Sequence, residues 1–198
     1  MKSRLILLAA ITITAAAAIA LLLWNPEPPH ELVGTSIQGR PTGGDFTLNS
    51  ADGPITLSDY KGKVAVLYFG YTYCPDICPT SLALFSNALS QLTKEQIDDI
   101  QPIFISVDPE RDKLDRLKLY AKYFHDNFIG VTGSPETIKK AANLYGAAYR
   151  KVEQASATGY IVDHSAYLYL VDRQGQLADS LPHGTASKDI KAALLKIL

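Results

Sequence analysis

A chain of 198 residues with 19 basic and 20 acidic side chains carries a formal net charge of −1. It is long enough to bury one hydrophobic core and short for two domains. No basic patch and no RNA-binding motif appears in it, which argues against nucleic acid as a partner.

Residues 1–24 stand apart. Met1-Lys2-Ser3-Arg4 supplies two positive charges, and Leu5 to Trp24 then runs without a charge or a proline, long enough to span a bilayer. The small residues from Ala15 to Ala20 make a cleavable signal sequence the competing reading. The length of the apolar run and the interfacial place of Trp24 favour a retained anchor. On either reading Lys2 and Arg4 stay cytoplasmic. With no Arg- and Ser-rich leader, the expected location is a bacterial inner membrane with the soluble domain in the periplasm. Without Lys2 and Arg4 the remainder has 17 basic against 20 acidic residues, a net charge of −3. Residues 25–40 read as a linker, because "NPEPPHELVG" is rich in proline and therefore stiff. Residues 41–198 form the one domain.

Within that domain, "FTLNSADGPITLSDYKGK" places Asp52-Gly53 between two short β-prone runs, a hairpin signal. "VAVLYFGY", Val64 to Tyr71, is apolar almost throughout, as a central strand buried on both faces would be. It leads directly to Cys74. Helical spacing of apolar residues follows from Ser81 to Leu92, with Pro79 suited to the first turn and Cys78 at or near the N-cap. "QPIFISVD" reads as a strand, and Asp108 as the N-cap of a helix running through Phe124. "FIGVTG" is a further strand, and Ser134-Pro135-Glu136 opens a helix to about Ala147. "YRKVEQASATGYIV" and "AYLYLVD" read as late strands, the second followed by a turn at Arg173-Gln174-Gly175. "ASKDIKAALLKIL" closes the chain as an amphipathic helix. Strands alternating with helices, then a strand pair and a last helix, predict an α/β sandwich with a mixed sheet.

The only cysteines, Cys74 and Cys78, stand three residues apart on the turn between strand and helix. They could form a redox disulfide, a structural staple or half of a metal site. An oxidising compartment drives an idle pair toward a disulfide. A staple here would close a loop of about five residues, and disulfide stabilisation grows with loop length, so a domain with a full core would gain little. The dipole and free N–H groups at the helix start favour a thiolate at Cys78.

Two thiolates need a further ligand, to be sought among His30, His125, His164 and His183. His30 lies in the linker and His125 beside Asp126 and Asn127, so both read as solvated. His183 in "SLPHGTAS" reads as a loop residue. His164 sits in "YIVDHSAYLYLVD", a polar step interrupting an apolar β stretch, and is the strongest candidate. Two sulfurs and one imidazole suit Cu(I), whereas structural zinc would want a fourth ligand. Asp76 and Asp163 are candidates for groups supporting the ligands.

These residues resemble the Sco (SenC/PrrC) copper-binding assembly proteins of cytochrome c oxidase. The resemblance runs from "DGPITLSDYKGKVAVLYFGYTYCPDICPTSL" through "ISVDPERD", "YAKYF" and "FIGVTGSPE" to "DHSAYLYLVDRQG". It implies a thioredoxin-like α/β fold, a mixed central sheet flanked by helices with an N-terminal β-hairpin extension, carried on one membrane-anchoring helix. It further implies one copper ion, as Cu(I) or Cu(II), bound by Cys74, Cys78 and His164. The implied role is copper delivery to the dinuclear copper site of oxidase subunit II, with other periplasmic copper chaperones or thiol reductants as further partners. The chain is then no enzyme. The alternative is a thiol-disulfide oxidoreductase that reduces the cysteines of that site with the redox pair Cys74 and Cys78. Many members of the family have His before the first Cys, where this chain has Tyr73. The Cys-x-x-Cys spacing of common thioredoxin-like oxidoreductases is absent, as are a proline before Asp163-His164 and the T-x-x-C pattern of peroxiredoxins.

Overall fold

The computed structural model describes Thr14, Ala15, Ile19, residues 41–153 and residues 159–198. The proposed anchor, apart from those three residues, and the linker lie outside the described residues. Among the described residues no helix is long and apolar enough to cross a membrane. Chain contacts separate Met1–His30 from Glu31–Leu198, and the fold below belongs to the second unit.

A five-stranded sheet forms its centre. Strands β3 (Val64–Gly70), β4 (Ile100–Ser106) and β5 (Ile129–Val131) run parallel, while β8 (Tyr167–Val171) and β9 (Leu177–Pro182) add antiparallel on the other side of β3. The spatial order is β5-β4-β3-β8-β9. The expected hairpin is present as β1 (Thr47–Ser50) paired with β2 (Gly53–Thr56). It is held to the end of β5 by reciprocal backbone bonds between Asn49 and Thr132 of 2.8 and 2.9 Å. A separate antiparallel ribbon pairs β6 (Tyr149–Glu153) with β7 (Tyr160–His164).

Strand β3 explains the two-sided core. Successive side chains point to opposite faces, so Ala65, Leu67 and Phe69 join one cluster and Val64, Val66 and Tyr68 the other. The first face is covered by the hairpin and by α4 (Pro135–Tyr145), through Ile138, Ala141 and Tyr145. The second is covered by α1 (Ile77–Leu89), α3 (Leu114–Phe124) and α5 (Ser187–Leu195), through Leu82, Phe85, Leu117 and Leu194. A short α2 (Lys94–Asp98) bridges α1 and β4, closed by a capping box between Thr93 and Gln96. Helix α4 begins as expected, Ser134 accepting from the Thr137 N–H at 3.3 Å with Pro135 at the first position, and ends at Gly146 with φ of 69°.

One expectation needs correction, and two positions are fixed more closely than the sequence fixes them. Helix α1 starts at Ile77, with Asp76 at the N-cap position, so Cys78 lies near the cap as expected, inside the first turn. Asp108 does not cap a helix: α3 begins only at Leu114, after Lys113, and Asp108 is buried. The sequence marks no strand at Leu177–Pro182, because the exposed residues of this edge strand give it no apolar signature, and His183 lies in the turn just after it, the loop position expected of it.

Gly70, at the end of β3, sets how closely α1 approaches the sheet. A Cβ there would lie 2.8 Å from Cys78 Sγ and 3.1 Å from ring atoms of both Phe104 and Tyr68. Gly70→Ala is expected to lower stability by about 1–3 kcal/mol through overpacking, seen as a fall in the urea midpoint with an unchanged slope.

Candidate metal centre

Three segments deliver three donor atoms. Cys74 lies on the turn after β3, its N–H donating to Tyr71 O at 3.2 Å. Cys78 comes from the first turn of α1 and is wholly buried, with 0% exposure. His164 is the last residue of β7. Their ligand atoms all lie within 4.8 Å of one another, and Cys78 Sγ is 3.2 Å from His164 Nε2. No other His, Cys, Asp or Glu joins this cluster among the described residues. It opens on a cleft of about 390 Å³, lined by Tyr71, Cys74, Pro75, Ile77, Val162 and His164. Neither sulfur is in a disulfide.

The two cysteines are electrostatically unequal. Burial pushes the Cys78 thiol well up, and its neighbour Cys74 adds to the shift. Cys74 is lowered to about 3, chiefly by the hydrogen bond from the Cys78 side chain, helped by the backbone of Cys78 and Asp76. The Cys78 N–H points at Cys74 Sγ over 3.4 Å. The helix start therefore serves Cys74, and the expectation that it would favour a thiolate at Cys78 is overturned by burial of that sulfur.

His164 is held from several sides. Its Nδ1 lies 3.3 Å from Ser165 O, and a carbonyl only accepts, so this contact assigns a proton to Nδ1. In the neutral ring that leaves the Nε2 lone pair directed at the sulfurs. Tyr68 and Tyr71 meet the imidazole edge-on, with centroids 6.1 and 5.9 Å away. The ribbon that carries it is fastened by a buried polar cluster that sequence reasoning missed. Arg111 Nε donates to Asp108 Oδ2 at 2.5 Å and Nη1 to Tyr160 O at 2.9 Å, while the Tyr160 hydroxyl donates to Asp108 Oδ1 at 2.7 Å. The Arg111 guanidinium also sits 3.6 Å from the Tyr160 ring centroid, within cation–π range. A second buried carboxylate, Asp112, accepts from Thr72 N at 2.8 Å, Thr72 Oγ1 at 2.5 Å and Ser106 Oγ at 2.6 Å. Thr72 is thereby pinned two residues before Cys74. The signal in the sequence is "DPERD", of which only Asp108 is read, as a cap.

The remaining candidates lie apart from the cluster. His125 Nδ1 accepts from Asn127 N at 3.1 Å, and His183 Nδ1 lies 2.8 Å from Ser81 Oγ. His30 lies outside the described residues. Asp163 lines the cleft but pairs across the ribbon with Arg150 at 2.9 Å, and Asp76 accepts from Thr80 Oγ1 at 3.2 Å. Tyr73 is 40% exposed, with the Arg116 guanidinium 4.1 Å from its ring centroid.

The family model described as SCO1/SenC matches residues 34–198. The chain belongs to the SCO1/SenC family. Among its relatives, "Protein SCO1 homolog 1, mitochondrial" of Arabidopsis thaliana is 43% identical over 139 residues, covering 70% of this chain and 41% of that protein. The chain thus matches well under half of that relative's length. The crystal structure of Arabidopsis thaliana ScoI with copper bound shares 38% identity and a TM-score of 0.71, covering 78% of this chain and 96% of that one. BsSco, a member of the Sco family of cytochrome c oxidase assembly proteins in which a disulfide switch was identified, shares 27% identity and a TM-score of 0.62, over 81% and 96% of the two chains. The five-stranded mixed sheet, flanking helices and N-terminal hairpin of this SCO1/SenC chain match the thioredoxin-like Sco structures, as the resemblance implied.

Two outcomes follow from the geometry. In the reduced protein, iodoacetamide should alkylate Cys74 at a rate nearly constant from pH 8 to pH 5, while Cys78 stays unmodified until the chain unfolds; peptide mass mapping reads both. Arg111→Met should lower stability by about 3–5 kcal/mol, because it strands the buried Asp108 carboxylate, and denaturant titration measures the loss.

Proposed function

We propose that this protein is a membrane-anchored copper chaperone that holds one copper ion through Cys74, Cys78 and His164. Its recipient is the dinuclear copper site of cytochrome c oxidase subunit II. The reading is carried by one observation: two sulfurs and an imidazole nitrogen, from three separate segments, lie within 4.8 Å of one another beside an open cleft. Copper in the Arabidopsis relative and the oxidase-assembly role of the family of BsSco support it. Residues 1–24 are the anchor in this proposal and residues 25–40 the spacer, holding the domain on the periplasmic face of a bacterial inner membrane.

The donor set fits the cargo. Thiolates select Cu(I) over harder ions and imidazole tolerates both copper oxidation states. Three donors leave coordination positions open to competing thiolates of a recipient, so the ion leaves by ligand exchange without passing through water. Cys74 supplies a ready thiolate, while Cys78 must surrender its proton, so loading releases protons and weakens as pH falls.

A second reading rests on the same pair. A half-buried thiolate at Cys74 beside a thiol at Cys78 is the arrangement of a dithiol reductant, and the alternative function is reduction of the cysteines of the oxidase site. The readings separate at His164. Anaerobic Cu(I) titration against a competing chelator should show one tight ion per chain, with affinity reduced more than about 100-fold in His164→Ala, beyond the range for losing a group that merely supports a ligand. Equal affinity in the variant, with activity lost only in Cys74→Ser or Cys78→Ser, would favour the reductant.

A further inference from the structure

Strand β3 turns Tyr68 toward the α1 side of the sheet, where Cys78 lies. Tyr68 is 1% exposed, its ring stacked on Phe104 at 6.3 Å and edge-on to His164. Its hydroxyl is buried and makes no hydrogen bond. An unsatisfied buried hydroxyl is destabilising, and a side chain of the same shape without it, phenylalanine, would fit the same space. The polar side chains that act on this hydroxyl are Ser81 and Cys78. Ser81 Oγ is already engaged with His183 Nδ1 at 2.8 Å. Cys78 Sγ and Tyr68 Cε1, the ring carbon next to the hydroxyl-bearing one, flank a single point, the place a Gly70 Cβ would occupy, at 2.8 and 3.1 Å.

Resting on the copper reading above, we propose that Tyr68 is a positioning residue for the cargo, its hydroxyl donating a hydrogen bond to the Cys78 thiolate when copper is held. A neutral thiol is a weak acceptor and leaves the hydroxyl idle. A metal-bound thiolate is a strong one, buried where water does not compete. The phenol is a donor at any physiological pH. A hydrogen bond to the ligating sulfur withdraws electron density from it and disfavours Cu(II) relative to Cu(I), the way hydrogen bonding around a cysteine sulfur tunes copper sites. Tyr68 would thus bias the oxidation state of the ion without touching it.

The test uses the purified full-length chain in detergent, loaded with Cu(I) or Cu(II), as wild type and as Tyr68→Phe, which removes one oxygen. The variant should retain its fold, with a denaturant midpoint of the metal-free protein equal to or above that of wild type. Its preference for Cu(I) over Cu(II) should fall about tenfold, a potential about 59 mV lower, and the sulfur-to-Cu(II) charge-transfer band should move to lower energy. Site-specific 3-fluorotyrosine at position 68, a stronger donor, should shift both readouts the other way and serves as the test if the Phe variant folds poorly. Wild-type copper binding with band and potential unmoved in both replacements would overturn the proposal. Failure of wild type to bind copper would sink the copper reading itself, and this proposal with it, and is seen separately in the wild-type titration.

Discussion

The site depends on the contact between a glycine backbone and a sulfur atom. At Gly70 strand β3 presents no side chain, and α1 closes onto it until Cys78 Sγ occupies the space a methyl group would fill. One donor is therefore set by the packing of the core itself, in the same cluster as Leu82, Phe85 and Phe104. Interiors packed to crystal-like density resist displacement, so Cys78 is the fixed reference from which Cys74 and His164 take their distances.

That burial also divides the chemistry. A sulfur enclosed by hydrocarbon resists ionisation, and its proton is shared toward Cys74, where backbone N–H groups at the start of α1 favour negative charge. A pair that looks symmetrical in the sequence becomes one thiolate at the cleft and one thiol behind it. The buried carboxylates act on the same region from below. Asp112 holds Thr72, ahead of the cysteine turn, and Asp108 with Arg111 holds Tyr160, at the start of the strand that ends in His164.

Much of this was legible beforehand where a local cause decides the structure. Val64 to Gly70 reads as a central strand because both of its faces are apolar, and the structure buries all of it. Ser134-Pro135 and Gly146 mark the ends of a helix because caps are short-range chemistry. His164 stood out because a polar step inside an apolar stretch calls for a partner, and Cys78 Sγ lies 3.2 Å away. What failed depends on distant residues. Asp108 looks like a cap by its neighbours, but Arg111 and Tyr160 claim its carboxylate, the latter 52 residues away. The protonation of Cys78 followed helix geometry on paper and burial in the fold. Strand β9 carries a run of exposed residues, Ala178 to Ser180, on a sheet edge, a pattern that polar loops share.

Among the described residues the ribbon of β6 and β7 pairs with itself and takes no place in the five-stranded ladder. Its purchase on the domain includes the Arg111 cluster, with a cation–π contact, while the bond from Ser165 N to Ala148 O extends the ribbon's own pairing by one rung. Val162 of the ribbon is itself a member of the core cluster on the hairpin side, so the arm that presents His164 is bolted to one face of the sheet while Cys78 is built into the other. The bite of the ligand cage is thus set by how the two faces of one sheet are packed, and repacking either would change it.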